Sequence, residues 1–227
     1  MADNRKEQER DELHRTIWGI ANDLRGSVDG WDFKQYVLGM LFYRYISENF
    51  ANYINDGERE AGDATFDYAQ LSDSDAEQAR DDLIKTKGFF ILPSQLFCSV
   101  RSRAPLDENL NETLEAVFQA IEDSAKGSDS EANFSGLFDD IDVNSNKPGG
   151  TVAERNKRLV KLMNGVGDMK LGDYRDNTID AFGDAYEYLM GMYASNAGKS
   201  GGKYFTPQEV SELLTRIAVA GKPEVNK

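Results

Sequence analysis

Apolar residues recur at intervals of three and four along most of the chain, which is the spacing that predicts amphipathic helices. A first helix is predicted over about residues 7–24, with an apolar face formed by Leu13, Ile17, Ile20 and Leu24. A second, longer helix is predicted from Asp29 or Asp32 to about Tyr53. Its wide stripe of aromatic and aliphatic residues indicates burial over much of its circumference. We interpret this stripe as core packing rather than as a ligand-binding face.

Further helices are predicted over residues 73–85, 110–125, 152–163 and 178–193, the first of them capped by Ser72 or Ser74. Polar or glycine-rich stretches separate them: a loop at 56–63, a mobile segment at 126–132, a break at 144–150 and a Gly/Ser/Lys linker at 195–202. Residues 88–92 predict either a short strand or an extended core segment. The pattern therefore predicts a mainly α fold, with a helical-bundle domain over residues 1–166.

Composition excludes several classes of protein. The single cysteine, Cys98, rules out an internal disulfide and fits a reducing cytoplasm. The N-terminal residues 1–15 are dense in charge, so a signal peptide is not expected. No apolar run approaches the roughly 20 residues that a membrane span needs.

The net charge of −14 is unevenly distributed along the chain. Residues 1–143 hold 14 Lys+Arg against 30 Asp+Glu, whereas residues 144–227 hold 12 against 10. Phosphate repels such an acidic first part. We therefore expect this part to meet a protein partner, or to touch DNA only through a local patch.

The segment from Gly201 to Glu209 has the features of a helix start that can receive a ligand. Thr206, Pro207 and Glu209 fit an N-cap, a first-turn proline and a capping-box glutamate. A glycine-rich approach to a helix N-terminus can take an anionic or polar group. The neighbouring aromatic pair, Tyr204 and Phe205, could cover a flat ring.

Residues 202–210, Gly-Lys-Tyr-Phe-Thr-Pro-Gln-Glu-Val, resemble the aromatic-Thr-Pro motif that opens the catalytic domain of DNA adenine-N6 methyltransferases. With the helical region before it, the chain resembles the modification (methyltransferase) subunit of type I restriction-modification systems, over essentially its whole length. The resemblance implies that residues 167–227 hold a connecting helix and the opening helices of a truncated α/β methyltransferase domain. It also implies that the chain stops before the main catalytic motifs.

The resemblance further implies a cofactor, S-adenosylmethionine, lying against the aromatic-Thr-Pro motif. The matching positions are Tyr204, Phe205, Thr206 and Pro207, with Gln208 as a weaker candidate. The family's Asn-Pro-Pro-aromatic motif is missing, because none of the five prolines follows an asparagine, and so is its Asp-Pro-x-x-Gly-Ser-Gly loop. We therefore expect no catalytic residue in this chain and no methylation by it alone.

Basic residues of the predicted helix 152–163 are the candidates for phosphate contact. Arg155, Arg158 and Lys161 fall three apart, on neighbouring parts of one helix face. A solvated helix face without a ligand is an equally favoured interpretation. For the smaller pair Arg101 and Arg103, we favour a solvated helix face without a ligand.

Other candidate chemistries fail on spacing. The sequence Gly198-Lys199-Ser200 lacks the first glycine of a P-loop, since Tyr193 occupies that position. The chain has one histidine, His14, and one cysteine. We therefore expect neither a zinc site nor a catalytic pair of a nucleophile and a base. The acidic residues Asp139, Asp140 and Asp142 lack the glycine and terminal glutamate of a calcium loop.

Two functions remain as expectations. In the first, the chain is the N-terminal part of a type I methyltransferase subunit that methylates adenine N6 in double-stranded DNA in the cytoplasm. Its implied partners are a specificity subunit, a restriction subunit and a second copy of the methyltransferase subunit. In the second, the chain is a non-enzymatic, acidic, helical protein-interaction module.

Overall fold

The computed structural model describes residues 2–23, 30–170, 181–196 and 208–220. It is mainly helical, as predicted, and the described residues contain no β-strand. Ten α-helices follow one another in the described ranges: α1 Ala2–Asp23, α2 Gly30–Glu60, α3 Asp73–Ala76, α4 Arg80–Lys87, α5 Phe97–Arg103, α6 Leu110–Ser124, α7 Glu131–Phe134, α8 Val152–Asp168, α9 Ala181–Asn196 and α10 Gln208–Val219. None of these helices is long and apolar enough to cross a membrane.

Helix α2 forms the centre of the core. Tyr36, Val37, Met40, Leu41 and Ile46 of its predicted apolar stripe are buried, which confirms core packing at these positions, whereas Tyr45 of the same stripe is 42% exposed. Phe50 meets Tyr68, Phe89 and Phe90, with ring centroids 5.3 to 5.9 Å apart. The buried Tyr43 hydroxyl donates to the Gln95 carbonyl at 2.5 Å, so this ring is buried with its polar end satisfied.

Helices α8 and α9 each pack against both α1 and α2. Leu13, Ile17 and Ile20 of α1 are buried, and Gly165 of α8 lies so close to Ile20 that a Cβ there would be 2.5 Å from it. Arg10 pairs with Asp184 of α9 at 3.0 Å. Helix α9, predicted as a connecting helix, therefore shares one core with the helices before it.

The predicted loop at 56–63 is wrong over its first half, because α2 continues to Glu60. The reason is a tertiary contact. Asn55 is buried, and its side-chain oxygen accepts the Tyr68 backbone N–H at 2.7 Å, which holds the last turns of α2 against the chain that follows. Local polarity predicted a loop, but this contact extends the helix.

Residues 88–92 form an extended core segment and not a strand. Gly88 ends α4 with φ of 83°, a left-handed conformation that favours glycine. The segment's backbone groups bond to side chains: Phe90 N–H donates to Ser124 Oγ at 2.9 Å, and Tyr68 donates to the Ile91 carbonyl at 2.8 Å. The predicted helix at 73–85 is divided into α3, a 3-10 turn and α4, with Ser72 as its N-cap.

Helix α10 has an apolar side that the described residues do not cover. Val210, Leu213, Leu214 and Ile217 recur at helical spacing and are 43% to 62% exposed. The predicted α/β character of residues 167–227 and the boundary at residue 166 remain predictions.

Candidate functional site

The predicted basic site lies on α8, whose start is fixed by a local motif. Thr151 is the N-cap: its backbone is extended and its hydroxyl accepts the Glu154 N–H at 3.2 Å. A threonine followed three residues later by glutamate is the sequence signature of a capping box. The helix then runs to Asp168, five residues beyond its predicted end.

The loop before α8 packs tightly onto the first turn of the helix. Pro148 and Gly149 are buried. A Cβ added to Gly149 would lie 2.6 Å from the Arg155 backbone nitrogen and 2.9 Å from the Glu154 carbonyl carbon. Only glycine permits this approach of one backbone to another. The packing of this loop therefore fixes the position of the first turn of α8, where its basic side chains start.

The structure gives the three predicted phosphate-contact residues different surroundings. Arg155 is only 7% exposed and donates from Nη2 to Asn146 Oδ1 at 3.3 Å. Its Nε has no hydrogen-bond partner in the part of the chain that the structure describes. Arg158 is partly buried and donates to the Pro148 carbonyl. Of the three, Lys161 is the exposed one.

A second exposed cation on α8, Lys157, was missing from the predicted site. Lys157 and Lys161 are four residues apart and both exposed, so they lie on the same side of the helix. The sequence did carry this signal. The buried apolar positions, Leu159, Leu162, Met163 and Val166, set the helical phase that turns Arg155 inward and these lysines outward. Contact with DNA remains a prediction for Arg155, Arg158 and Lys161.

A network of asparagines holds the start of α8 against α6. Asn156 Oδ1 accepts the Asn111 backbone N–H at 3.1 Å, and its amide donates to the Glu108 carbonyl at 2.6 Å. Asn111 in turn donates to Asn144 Oδ1 at 2.6 Å. Asn111 and Asn156 are buried, so these bonds satisfy groups that would otherwise be costly to desolvate. These bonds join the first turn of α8 to α6, and the buried Asn111 Oδ1 has no hydrogen-bond partner in the described part of the chain.

Two arginines bind the other end of α8. Arg44 donates from Nη1 to the carbonyls of Val166 and Met169, at 2.6 and 2.8 Å, and so adds a charged donor at the C-terminus of α8. Arg101 donates from Nε to Asn164 at 3.1 Å and from Nη2 to Asp168. Arg101 therefore attaches α5 to α8, which a purely solvated helix face would not do.

Titratable groups in the described residues do not form a reaction centre. His14 stacks on Tyr188 of α9 with ring centroids 3.9 Å apart, and burial lowers its pKa. Burial raises the pKa of Tyr68, and its hydroxyl donates to the Ile91 carbonyl in the core. No group of three or more His, Cys, Asp or Glu that could hold a metal ion occurs in the ranges that the structure describes.

The predicted cofactor motif lies mostly outside the described residues. Tyr204, Phe205, Thr206 and Pro207 are in the undescribed range 197–207. Helix α10 covers Gln208–Val219, and the predicted first helical position, Pro207, lies outside the described residues. Nothing is described of the Gln208 side chain. Cofactor contact at these five positions therefore remains a prediction.

Two protein families match the chain. The family described as HsdM N-terminal domain matches residues 13–166, and the family described as N-6 DNA Methylase matches residues 177–227. The type I restriction enzyme MpnII methylase subunit of Mycoplasma pneumoniae is 46% identical over 231 residues, covering 99% of this chain and 42% of that protein. The type I restriction enzyme MjaIX methylase subunit of Methanocaldococcus jannaschii is 21% identical over 213 residues, covering 91% of this chain and 35% of that protein.

A solved structure has the same fold. The type I restriction-modification system methyltransferase subunit from Streptococcus thermophilus superimposes with a TM-score of 0.72 at 27% identity, covering 94% of this chain and 44% of that one. The chain thus spans less than half the length of each of these relatives.

Proposed function

Because the chain belongs to the HsdM N-terminal domain family and corresponds to the N-terminal region of type I restriction-modification methylase subunits, we propose that its complete protein methylates adenine N6 in double-stranded DNA. The observation that carries this proposal is the pair of consecutive matches, over residues 13–166 and 177–227. The second match adds the start of an N-6 DNA methylase to the helical region, which a plain interaction module would not need.

In this proposal the chemistry belongs to residues that follow the present chain. Adenine N6 is a weak nucleophile and must leave the base stack to reach an active-site pocket. An Asn-Pro-Pro-aromatic motif, absent from this sequence, would accept hydrogen bonds from the amino group. We therefore expect the 227-residue chain alone to be inactive, and residues 167–227 to form the connecting helix and opening of the catalytic domain.

The methyl donor proposed is S-adenosylmethionine, held in part by Tyr204, Phe205, Thr206, Pro207 and Gln208. The support from the structure is that α10 begins at Gln208, so these residues lead directly into a helix N-terminus. Unpaired N–H groups at such a terminus suit a negatively charged or polar ligand group, such as the methionine end of the cofactor. The cofactor supplies the methyl group, and these residues position it.

The proposed partners are a specificity subunit that reads the DNA sequence, a restriction subunit and a second methyltransferase subunit, in the cytoplasm. The helical region would aid subunit assembly and DNA enclosure. Its acidic character up to residue 143 disfavours broad contact with phosphate. The α8 cluster of Arg155, Arg158 and Lys161 is the proposed local contact, and the exposed Lys161 is the member best placed to reach a phosphate.

The test continues the reading frame past the codon for Lys227 and assays the encoded protein together with a specificity subunit. Transfer of tritiated methyl groups from S-adenosylmethionine to adenine in duplex DNA is expected, with none from the 227-residue chain. A downstream Asp-Pro-x-x-Gly-Ser-Gly and Asn-Pro-Pro-aromatic should be present. A stop codon directly after the codon for Lys227, or an extended protein that transfers no label, would favour the non-enzymatic acidic interaction module instead.

A further inference from the structure

An open groove of about 860 Å³ runs between the C-terminal half of α2 and helix α4. Its α2 side is formed by Tyr45, Asn49, Tyr53, Asp56 and Glu60, which recur at intervals of three and four and therefore share one side of the helix. None of the described residues that line the groove belongs to α8, and the proposed function leaves the groove unused.

The groove exposes two tyrosines of α2, a helix that buries other aromatic side chains. Tyr45 is 42% exposed and Tyr53 is 44% exposed, whereas Tyr43 and Phe50 of the same helix are completely buried. Tyrosine offers a large apolar face with little conformational freedom to lose, and it is enriched among the residues that dominate protein interfaces. The groove thus has the aromatic anchors of a docking site.

Charge decides which kind of partner suits the groove. Three carboxylates line it, those of Asp56, Glu58 and Glu60, against one amine, that of Lys87. Asp56 pairs with the neighbouring Arg59 at 3.6 Å. Glu58 and Glu60 have no side-chain ion pair within the described part of the chain. The groove therefore carries negative charge that is not neutralised locally.

One cation of the chain itself already lies against an aromatic ring of the groove. The Lys87 ammonium lies 4.4 Å from the centroid of the Tyr53 ring. Attraction between a cation and the negative face of an aromatic ring favours this position. An incoming cationic side chain would find the same ring, and the nearby carboxylates would add to the attraction.

We propose that this groove docks an arginine- or lysine-bearing segment of a partner protein, with its cations placed against Tyr53 and the carboxylates of Glu58 and Glu60. Nucleic acid does not suit the groove, because the same carboxylates repel phosphate. The proposal does not depend on the methyltransferase assignment, since it uses only the groove's shape, aromatic content and charge.

The test measures fluorescence anisotropy of a short labelled helical peptide with arginine at every fourth position, titrated with the 227-residue chain. A matched peptide has glutamine in place of each arginine. Ionic strength is held near 0.15 M, where charges more than about 8 Å apart are largely screened. The arginine peptide should bind at least about 10-fold more tightly than the glutamine peptide if cations provide the recognition.

Groove variants should change the peptide's Kd in opposite directions. Glu58→Gln with Glu60→Gln should raise the Kd by about 5-fold, because two exposed charge pairs are lost. Lys87→Ala should lower it by about 3-fold, because a competing cation leaves the Tyr53 ring. Tyr53→Ala should raise it by about 10-fold, whereas Tyr53→Phe should keep the wild-type value.

Matched control variants carry the same charge changes on other surfaces. Glu112→Gln with Glu115→Gln alters two exposed carboxylates of α6, outside the groove. Lys85→Ala removes an exposed lysine of α4 that pairs with Asp82 and does not line the groove. Both controls should leave the Kd within about 1.5-fold of wild type under the same screening.

Three outcomes would overturn the proposal. Equal effects of the α6 pair and the groove pair would mean that only the overall acidity attracts the peptide. Equal binding of the glutamine peptide would make the groove a site for uncharged partners. Absence of binding by the arginine peptide, with circular dichroism showing a folded chain, would remove the docking role.

Discussion

Replacement of Gly149 by alanine tests the packing that sets the start of α8. Gly149 and Gly150 are adjacent in the loop before the helix, and neither has a positive φ, so alanine strains neither backbone. The two positions differ in the space around them. A Cβ on Gly149 would lie 2.6 Å from the Arg155 nitrogen, whereas a Cβ on Gly150 would meet only Glu154 Oε2, at 3.8 Å.

The expected loss follows from the atoms that must move. Ordinary contact begins near 3.4 Å, so the loop and the first turn of α8 would have to separate by about 0.8 Å, and both are backbone. Overpacking of this kind costs about 1–3 kcal/mol. Alanine returns about 0.4–1 kcal/mol by restricting the unfolded chain. We therefore expect Gly149→Ala to lower the free energy of unfolding by about 1–2 kcal/mol.

Gly150→Ala has the same effect on the unfolded chain and no clash, so its stability should be unchanged or higher by up to about 1 kcal/mol. Urea unfolding followed by circular dichroism at 222 nm, a standard helix wavelength, compares the two variants with wild type. If the two alanine variants unfold at the same urea concentration, the close approach of loop and helix does not exist and the reasoning fails.

Three further predictions concern α8, the α1–α9 contact and the cofactor motif. Arg44→Ala should lower the free energy of unfolding by about 1.5–3 kcal/mol, because it leaves buried carbonyls at the end of α8 without a charged donor. Arg59→Ala, which removes an exposed pair, is its control at under about 1 kcal/mol, and equal losses would contradict the capping role. Burial lowers the pKa of His14 below the 6.5 of the unfolded chain, so its contribution is complete above pH 6.5 and is lost as pH falls. His14→Phe should retain the stacking on Tyr188 and weaken the loss of stability between about pH 7 and 5, measured by urea unfolding; an unchanged pH profile would rule this out. In the complete protein, Thr206→Ala should weaken S-adenosylmethionine binding in calorimetry by more than the about 1 kcal/mol of a lost helix cap. Thr206→Ser should keep the wild-type affinity. If Thr206→Ala leaves the affinity unchanged and lowers only the melting temperature, Thr206 is only a helix cap.

The α8 helix shows how spacing alone groups side chains that differ in burial. Spacing alone placed Arg155 and Lys161 on neighbouring parts of one face. The structure buries the first and exposes the second, because α8 packs on α1, α2 and α6 at once and its buried side is wide. The spacing of residues along the sequence does not show how many other helices pack against a given helix. The apolar phase set by Leu159 and Met163 carried the better information.

The extended segment 88–92 shows the complementary limit. Its apolar run is compatible with a strand or with an extended segment, since both bury consecutive side chains. The choice depended on Ser124 and Tyr68, whose side chains satisfy the backbone at Phe90 and Ile91. Those partners lie 34 and 23 residues away in sequence, so no local window contains them.

The sequence by itself determined the helical class, most helix positions, a serine cap at Ser72 or Ser74 and the family resemblance, because periodicity, capping residues and short motifs are local properties. Only the tertiary structure decided that α2 continues to Glu60, that α9 joins the α1–α2–α8 core, and that two tyrosines of α2 line an acidic groove. The physical reason is that burial and hydrogen-bond satisfaction depend on residues distant in sequence. A side chain's spacing predicts which face it shares, but its neighbours across the fold determine whether that face is covered.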